Sequence, residues 1–469
     1  MTTKKCYIRV KDEVYCTLSG LQPSDIEFLW EKYGIFVEGY FHMPQYKLGR
    51  WDGKIRFFEK TGKTYIRLLD EILPFLEKWG YEIELKDERI PIKTFPEFIK
   101  HDNFIKYGIE LRPYQVESIN VALSESNGFI IVGTGGGKSL ICAGICDAYG
   151  KVGYKTITIV PSSDLVSQTA DWYKLCGMDV GEYSGVNKEL NKQHVVGTWQ
   201  AIQNNPHLMK QFQVFIWDEA QGVKASVAQK LICDYGKHIP FRFGCTGTFP
   251  KPKADVISLK VAIGSIIKEI PARWLIDNGY LAEIEIECIR TKDTVFTDGD
   301  FPDYKSERSY ICRSPKRMDY IADLIISKCE QYGNTLVLVN SIKFGEQLQK
   351  MIKDTVFLYG ISEKSERKLH YDAFEEKDNV IVIASSGIAS TGISIDRVFC
   401  LIMIDAGKSF IKAIQACGRG LRKAKDKNKV HVVDIGADLR WSRKHMNERI
   451  KYYKEANYNC SKPITVKIK

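Results

Sequence analysis

From residue 107 onward, short wholly apolar runs alternate with stretches of helical spacing. The runs at 129–132, 156–160, 195–196 and 214–217 are rich in Val, Ile and Phe and too short to be helices. Runs of this kind are strands buried on both faces. Residues 140–149 repeat apolar side chains at helical spacing between the first two. A second set at 284–289, 335–339, 356–359, 380–384, 399–404 and 430–434 has the same character. Strands alternating with helices predict parallel sheets flanked by helices, so the fold class is α/β with two tandem blocks. The blocks are expected at 96–280 and 281–469, meeting near 278–283. The polar, turn-rich stretch 292–313 reads as an excursion.

Residues 1–95 have a different pattern and are expected to form a small α+β N-terminal domain. Aromatic and basic side chains alternate over 40–58. Asp52-Gly53 lies between strand-like runs and signals a hairpin, because both central positions need positive φ. A helical stretch over 70–79 follows, and Pro91 and Pro96 punctuate a polar connector. Neither short-period repeats nor low-complexity tracts interrupt the chain.

Composition narrows the picture. With 469 residues the chain exceeds one core, and 44% hydrophobic with 27% charged residues is ordinary for a globular protein. No apolar run approaches the roughly 18–20 residues that cross a bilayer, and the N-terminus lacks the apolar core of a signal peptide. A cytoplasmic protein without a membrane partner is expected. The 13 cysteines form no Cys-x-x-Cys pair. Cys142 and Cys146, four apart on a helix, read as small apolar side chains rather than metal ligands. The net charge of +10 is concentrated: residues 401–469 hold 17 Lys and Arg against 6 Asp and Glu. A localised basic surface attracts polyanions by releasing counterions.

The chemistry centres on Val132-Gly133-Thr134-Gly135-Gly136-Gly137-Lys138-Ser139, where a buried strand gives way to a helix. Glycines let backbone N–H groups turn toward phosphate oxygens, and the helix N-terminus adds positive potential. Lys138 would reach the β/γ-phosphates of ATP and Ser139 would ligate Mg²⁺. Val132 stands where the strict phosphate-loop pattern has glycine. The expected partner is an acidic residue ending a neighbouring strand, and Asp218-Glu219 follows the run 214–217. Asp218 would hold Mg²⁺ and Glu219 would activate the attacking water. Adjacent carboxylates after an apolar strand are costly unless a cation or polar site meets them.

These strings resemble motifs I and II of superfamily-2 helicases, and further motifs follow in the family's order. Leu111-Arg112-Pro113-Tyr114-Gln115 resembles the adenine-reading element, implying nucleotide contacts from Arg112 and Gln115. Residues 160–168, with Ser162 and Ser163, resemble motif Ia. Gly197-Thr198-Trp199-Gln200 resembles the strand-contacting motif that follows it. Thr246-Gly247-Thr248 stands at motif III, and Asn340-Ser341 resembles motif IV. Ser385 with Thr391 and Gly392 resembles motif V, and Gln415, Arg419 and Arg422 match motif VI. The resemblance spans roughly residues 107–434. Gln221 replaces the usual His of motif II, and Thr246-Gly-Thr replaces Ser-Ala-Thr. Trp51-Asp-Gly-Lys54, Val-Val-Gly-Thr-Trp-Gln and Ser-Thr-Gly-Ile-Ser are similar to the UvsW-type phage branch-migration helicases.

The resemblance implies an ATP-driven DNA motor whose two α/β blocks are tandem RecA-like domains. Arg419 and Arg422, three apart on one helix face, would act as arginine fingers, worth roughly 10³–10⁵ in rate. Gln415 lies one turn earlier. Ser162, Ser163, Thr198, Trp199, Gln200, Asn340, Ser341, Ser385 and Thr391 would grip the DNA backbone without reading sequence, although each could equally cap a helix or turn. Arg50, Trp51 and Lys54, with Tyr46, Phe57, Phe58, Lys47 and Arg56, would meet forked or branched DNA, or else form an ordinary hairpin. Both halves of the ATP site lie in one chain, so a monomeric motor is expected. Alternatives are a duplex-tracking translocase without strand separation and an RNA helicase.

Overall fold

The computed structural model describes residues 4–219, 229–247, 249–250, 252–292, 296–297, 299–360, 376–386, 397–405 and 429–468. They divide into two units: residues 1–132 with 137–269, and residues 133–136 with 270–469.

The first unit opens with β1 (Lys4–Val10), β2 (Tyr15–Ser19), β3 (Gly34–Phe36), β4 (Lys54–Arg56), β5 (Lys63–Tyr65) and β6 (Tyr81–Asp87). Four of these form a sheet in the order β5-β2-β1-β6, while β3 and β4 pair antiparallel on their own. Alternate residues of β1 (Cys6, Ile8 and Val10) are buried while their neighbours face outward, which is the period of a half-buried strand. The helix Leu69–Lys78 covers the 70–79 pattern and buries Ile72 and Leu76.

The strands β7 (Asn127–Val132), β8 (Thr156–Val160), β9 (Val180–Tyr183), β10 (His194–Thr198), β11 (Val214–Asp218), β12 (Phe241–Thr246) and β13 (Ile266–Ile270) follow. They form one sheet in the order β13-β7-β12-β11-β8-β10-β9. The pairings β7–β12, β12–β11, β11–β8, β8–β10 and β10–β9 are all parallel. Four apolar runs of the sequence fall inside β7, β8, β10 and β11. The strands β9, β12 and β13 lie outside the predicted runs, because Gly181, Glu182, Lys268 and Glu269 break the edge strands and Arg242 and Gly244 break central β12.

The N-terminal sheet shares a hydrophobic core with this larger sheet. Arg242 of β12 is fully buried and donates to the carbonyls of Ile239 (3.0 Å), Ala262 (2.9 Å) and Glu13. One guanidinium thus ties the loop after β1 to the second layer. The Glu13 N–H donates to Lys237 (2.8 Å), and Gln229 donates to the Tyr65 hydroxyl (2.7 Å).

The second unit carries β14 (Glu283–Lys292), β15 (Thr335–Val339), β16 (Val356–Leu358), β17 (Ile381–Ser385), β18 (Cys400–Ile404), β19 (Lys429–Ala437), β20 (Asn459–Cys460) and β21 (Ile464–Lys467). The order is β16-β17-β15-β18-β19-β14-β20, with β21 also on β14, and every pairing is parallel. The polar excursion contains the helix Tyr304–Ile311, capped by the Asp303 carboxylate. Both sheets place the carboxyl ends of their strands at one edge, where ligands bind in open α/β sheets.

Candidate nucleotide-binding and nucleic-acid sites

Buried β7 ends at Val132, and the helix Lys138–Lys151 begins after five intervening residues. The intervening turn needs left-handed backbone at Gly135 (φ +83°) and Gly137 (φ +76°), which glycine adopts without steric cost. Gly137 is constrained twice, since a Cβ there would meet the Gln115 amide nitrogen at 2.3 Å. Gln115 is itself buried, and its side-chain oxygen accepts the Arg112 N–H at 2.9 Å. The glutamine of the Leu111–Gln115 string therefore lies against the last glycine of the loop. Thr134 and Gly136 lie within the turn, and the Gly136 N–H closes it onto the Gly133 carbonyl at 3.0 Å. Ser139 is the second residue of the helix.

Asp218 is the buried last residue of β11, and Glu219 turns away from the strand at φ +55°. Left-handed backbone at a residue with a Cβ costs roughly 1–2 kcal/mol. Two hydrogen bonds hold it there: the Glu219 N–H donates to the Cys245 carbonyl (2.9 Å) and to Asp218 Oδ1 (3.0 Å). The result aims Glu219 Oε1 at Lys138 Nζ, 3.2 Å away. Only 10% of the lysine side chain and 28% of the glutamate side chain is exposed. In sequence these residues are far apart; in the sheet they end two strands separated only by β12. Thr246, at the end of β12, is buried. Below the helix, Cys142 and Cys146 are buried too. Contact with Cys245 and burial hold the Cys142 thiol well above its ordinary pKa, so both act as packing, as the sequence suggested.

The donor set suits a hard cation as well as a triphosphate. Glu219 faces the Lys138 ammonium, its neighbour Asp218 ends β11, and a serine hydroxyl lies in the first turn of the helix. Carboxylate and hydroxyl oxygens are the ligands Mg²⁺ takes.

In the same unit, Ser162 Oγ accepts the Leu165 N–H (3.4 Å) and Thr198 Oγ1 accepts the Ala201 N–H (3.3 Å). Both hydroxyls cap helices at the carboxyl edge of the sheet. Ser163 and Gln200 are exposed beside them, and Trp199 is half-buried. In the second unit, Ser341 Oγ caps its helix through the Phe344 N–H (3.4 Å). Asn340 donates to the Asp405 carbonyl (2.9 Å) and accepts from the Ser386 hydroxyl. Ser385 ends β17, half-buried. Gln221, Thr248, Thr391, Gly392, Gln415, Arg419 and Arg422 lie outside the described residues.

The N-terminal aromatic stretch differs from its expectation in two ways. Asp52-Gly53 does not join neighbouring strands; β3 and β4 pair across residues 37–53, which hold the turns Tyr40–His42 and Pro44–Lys47. Gly53 (φ +82°) is needed because a Cβ would meet the Tyr40 ring at 2.5 Å. Second, Phe57 and Phe58 are buried in the core and offer no face to a base. Alternation placed them beside exposed residues in sequence, but β4 ends at Arg56 and the chain turns inward. Lys54 pairs with Glu31 at 2.8 Å, and Arg56 lies 4.0 Å over Trp30 while pairing with Asp52. Trp51 is half-buried and donates to the Lys54 carbonyl at 2.9 Å. Arg50, Phe41, Tyr46, Lys47 and Leu48 remain exposed.

Comparison with known proteins meets this geometry at three places. A family model described as the res subunit of type III restriction enzymes matches residues 108–251. A helicase conserved C-terminal domain matches 316–424, and the N-terminal domain of the DNA helicase UvsW matches 9–86. In these matches the chain is similar to the superfamily-2 helicases of the UvsW type. Among relatives of this superfamily, the ATP-dependent DNA helicase uvsW of Enterobacteria phage T4 is 25% identical over 92% of this chain and 90% of its own length. The DNA 3'-5' translocase XPB2 of Sulfurisphaera tokodaii is 25% identical over 84% of this chain and 95% of its own. In fold, the chain is similar to the DNA-bound type ISP restriction-modification enzyme LlaBIII, with a TM-score of 0.57 at 14% identity over 85% of this chain and 36% of that one. The UvsW-type N-terminal match coincides with the module welded to the first large sheet through Arg242. Among the described residues no helix is long and apolar enough to cross a membrane.

Proposed function

We propose that this chain is an ATP-dependent DNA helicase that translocates on DNA and unwinds or branch-migrates forked and branched substrates in phage replication, recombination or repair. The carrying observation is the Lys138–Glu219 pair, which brings the phosphate loop and the acidic strand end into one charged cluster. Lys138 moves from Glu219 to the β/γ-phosphates when ATP arrives, and the N–H groups of 134–139 receive the phosphate oxygens. Arg112 and Gln115 hold the adenine. Ser139 and Asp218 hold Mg²⁺, which when bound neutralises phosphate charge. Glu219, released from Lys138, takes the proton of the attacking water. Gln415, Arg419 and Arg422 stabilise the charge of the transferred phosphoryl group, and Gly392 contacts the nucleotide.

The hydroxyl and amide residues at the sheet edges, Ser162, Ser163, Thr198, Gln200, Asn340, Ser341, Ser385 and Thr391, with Trp199, follow the DNA backbone. A hydroxyl that accepts one helix N–H keeps its own proton to donate to a phosphate. Residues 1–95 select forks through exposed Arg50 and half-buried Trp51 and Lys54; residues 96–280 bind ATP; residues 281–469 form the second motor domain. The motor is monomeric and works in the host cytoplasm. ATP turnover and strand displacement on linear, forked and four-way DNA, with RNA as competitor, test the proposal. Turnover stimulated by RNA but not DNA, or stimulation without strand displacement on any fork, refutes it.

A further inference from the structure

A cationic surface outside the nucleotide site lies on the helix Arg440–Glu455 of the second unit. Its inner face is fixed. Arg449 donates to both carboxylate oxygens of Asp434 in β19 (2.8 and 2.7 Å), and the Tyr453 hydroxyl donates to the same carboxylate (2.9 Å); all three are buried. Its first turn is fixed as well. The Trp441 and Ser442 N–H groups donate to the buried Glu307 carboxylate at 2.9 and 2.7 Å.

The outer face is therefore held in place. Arg440, Lys444, Asn447, Lys451 and Lys454 are exposed at spacings of three and four, which puts them in one stripe. At 1.5 Å per residue the stripe runs about 21 Å. Arg290 of β14 joins it, donating to Asn447 at 2.7 Å. Arg443 flanks it, paired with Asp438 at 3.1 Å. Glu448 and Glu455 are the acidic groups on the helix surface. A shallow groove of about 450 Å³ follows the stripe between Arg440 and Lys451.

Glu307 and Asp438 already answer the positive end of the helix dipole and the Arg443 guanidinium. The exposed Arg440, Lys444, Lys451 and Lys454 are the cations that the stripe presents to a polyanion. The face also lacks stacking platforms: no large apolar side chain of 440–455 is prominently exposed, and half-buried Trp441 lies under Arg440 at 4.9 Å. Single strands are gripped by aromatic stacking, whereas duplex is held through its phosphates.

We propose that this stripe is a second nucleic-acid site that binds the phosphodiester backbone of duplex DNA. It rests on the reading of the chain as a DNA motor. The test uses the full chain and a short blunt duplex, with binding followed by fluorescence anisotropy across a salt series without nucleotide. The variant Lys444→Gln/Lys451→Gln/Lys454→Gln is compared with Lys343→Gln/Lys350→Gln/Lys353→Gln, which removes the same charge from exposed positions elsewhere in the unit. Each phosphate contact contributes about 0.9 to the slope of log K against log salt. The stripe variant is expected to lose up to about 2.7 from that slope and to weaken binding more than about tenfold at low salt, with DNA-free ATP turnover unchanged. Slope and affinity equal to those of the control overturn the proposal. So does a loss confined to single-stranded oligonucleotide. Failure of the motor reading looks different: salt-dependent binding persists in the parent protein, but no DNA stimulates its ATP turnover.

Discussion

Replacing Glu219 by Gln separates two roles that we propose for one carboxylate. Glu219 holds Lys138 at 3.2 Å in a largely buried pair, so a bound triphosphate would compete for the lysine. Glutamine keeps the size and can still accept a hydrogen bond from Lys138, but it removes the charge. A charge-assisted hydrogen bond is roughly twice as strong as a neutral one, a difference of about 1 kcal/mol. It also removes one of two negative charges facing the triphosphate. ATP should therefore bind about fivefold more tightly. Turnover should fall about 10²–10⁴-fold, the usual contribution of a positioned general base. The backbone turn at φ +55° should persist, because both of its hydrogen bonds come from the main-chain N–H. Fluorescent-nucleotide titration gives the affinity and a coupled assay gives DNA-stimulated turnover. Weaker nucleotide binding, or turnover within threefold of the parent, would refute the reasoning.

Lys138→Ala should abolish DNA-stimulated hydrolysis; residual stimulated turnover in a clean preparation would place the phosphate site elsewhere. Gly137→Ala should lower both stability and ATP affinity. Its φ of +76° costs about 1–2 kcal/mol in a residue with a Cβ, and the new methyl displaces the Gln115 amide; an unchanged nucleotide Kd would argue against that contact. Arg242→Met leaves three buried carbonyls without their donor, each worth about 1–3 kcal/mol. Urea unfolding should show a loss of at least about 3 kcal/mol, and a loss under 1 kcal/mol would mean the two layers are not tied there. Burial pushes His194 down to about 4 from about 6.5 in the unfolded chain. The folded state then holds fewer protons between these values, so its share of stability is complete above pH 6.5 and is lost as pH falls toward 4. That share is about 3 kcal/mol, and His194→Gln should flatten the corresponding slope of unfolding free energy against pH.

The phosphate loop was legible because its chemistry is local: five consecutive positions demand glycine or a small side chain, and a helix follows at once. Central strands β7 and β11 were legible for the same reason, since a strand buried on both faces is largely apolar; central β12 was not, because Arg242, Gly244 and Thr246 interrupt its apolar run. The edge strands β9 and β13 were not, because one side of each is unpaired and tolerates charge. The misreading at 40–58 has a similar origin. An alternating pattern specifies which residues are outward only if the strand continues, and here β4 stops after three residues. Phe57 and Phe58 then enter the core instead of facing a base.

Sequence by itself determined the two α/β blocks, the glycine turn before Lys138 and the paired carboxylates after β11, because each follows from neighbours within a few residues. Tertiary structure decided what those groups meet. Strand order sets Glu219 beside Lys138 with β12 between their strands, and no spacing in the chain encodes that. No neighbour in the sequence marks Arg242 or Arg449 as buried. Only the fold buries them, because main-chain carbonyls and the Asp434 carboxylate, distant along the chain, are there to take the place of water.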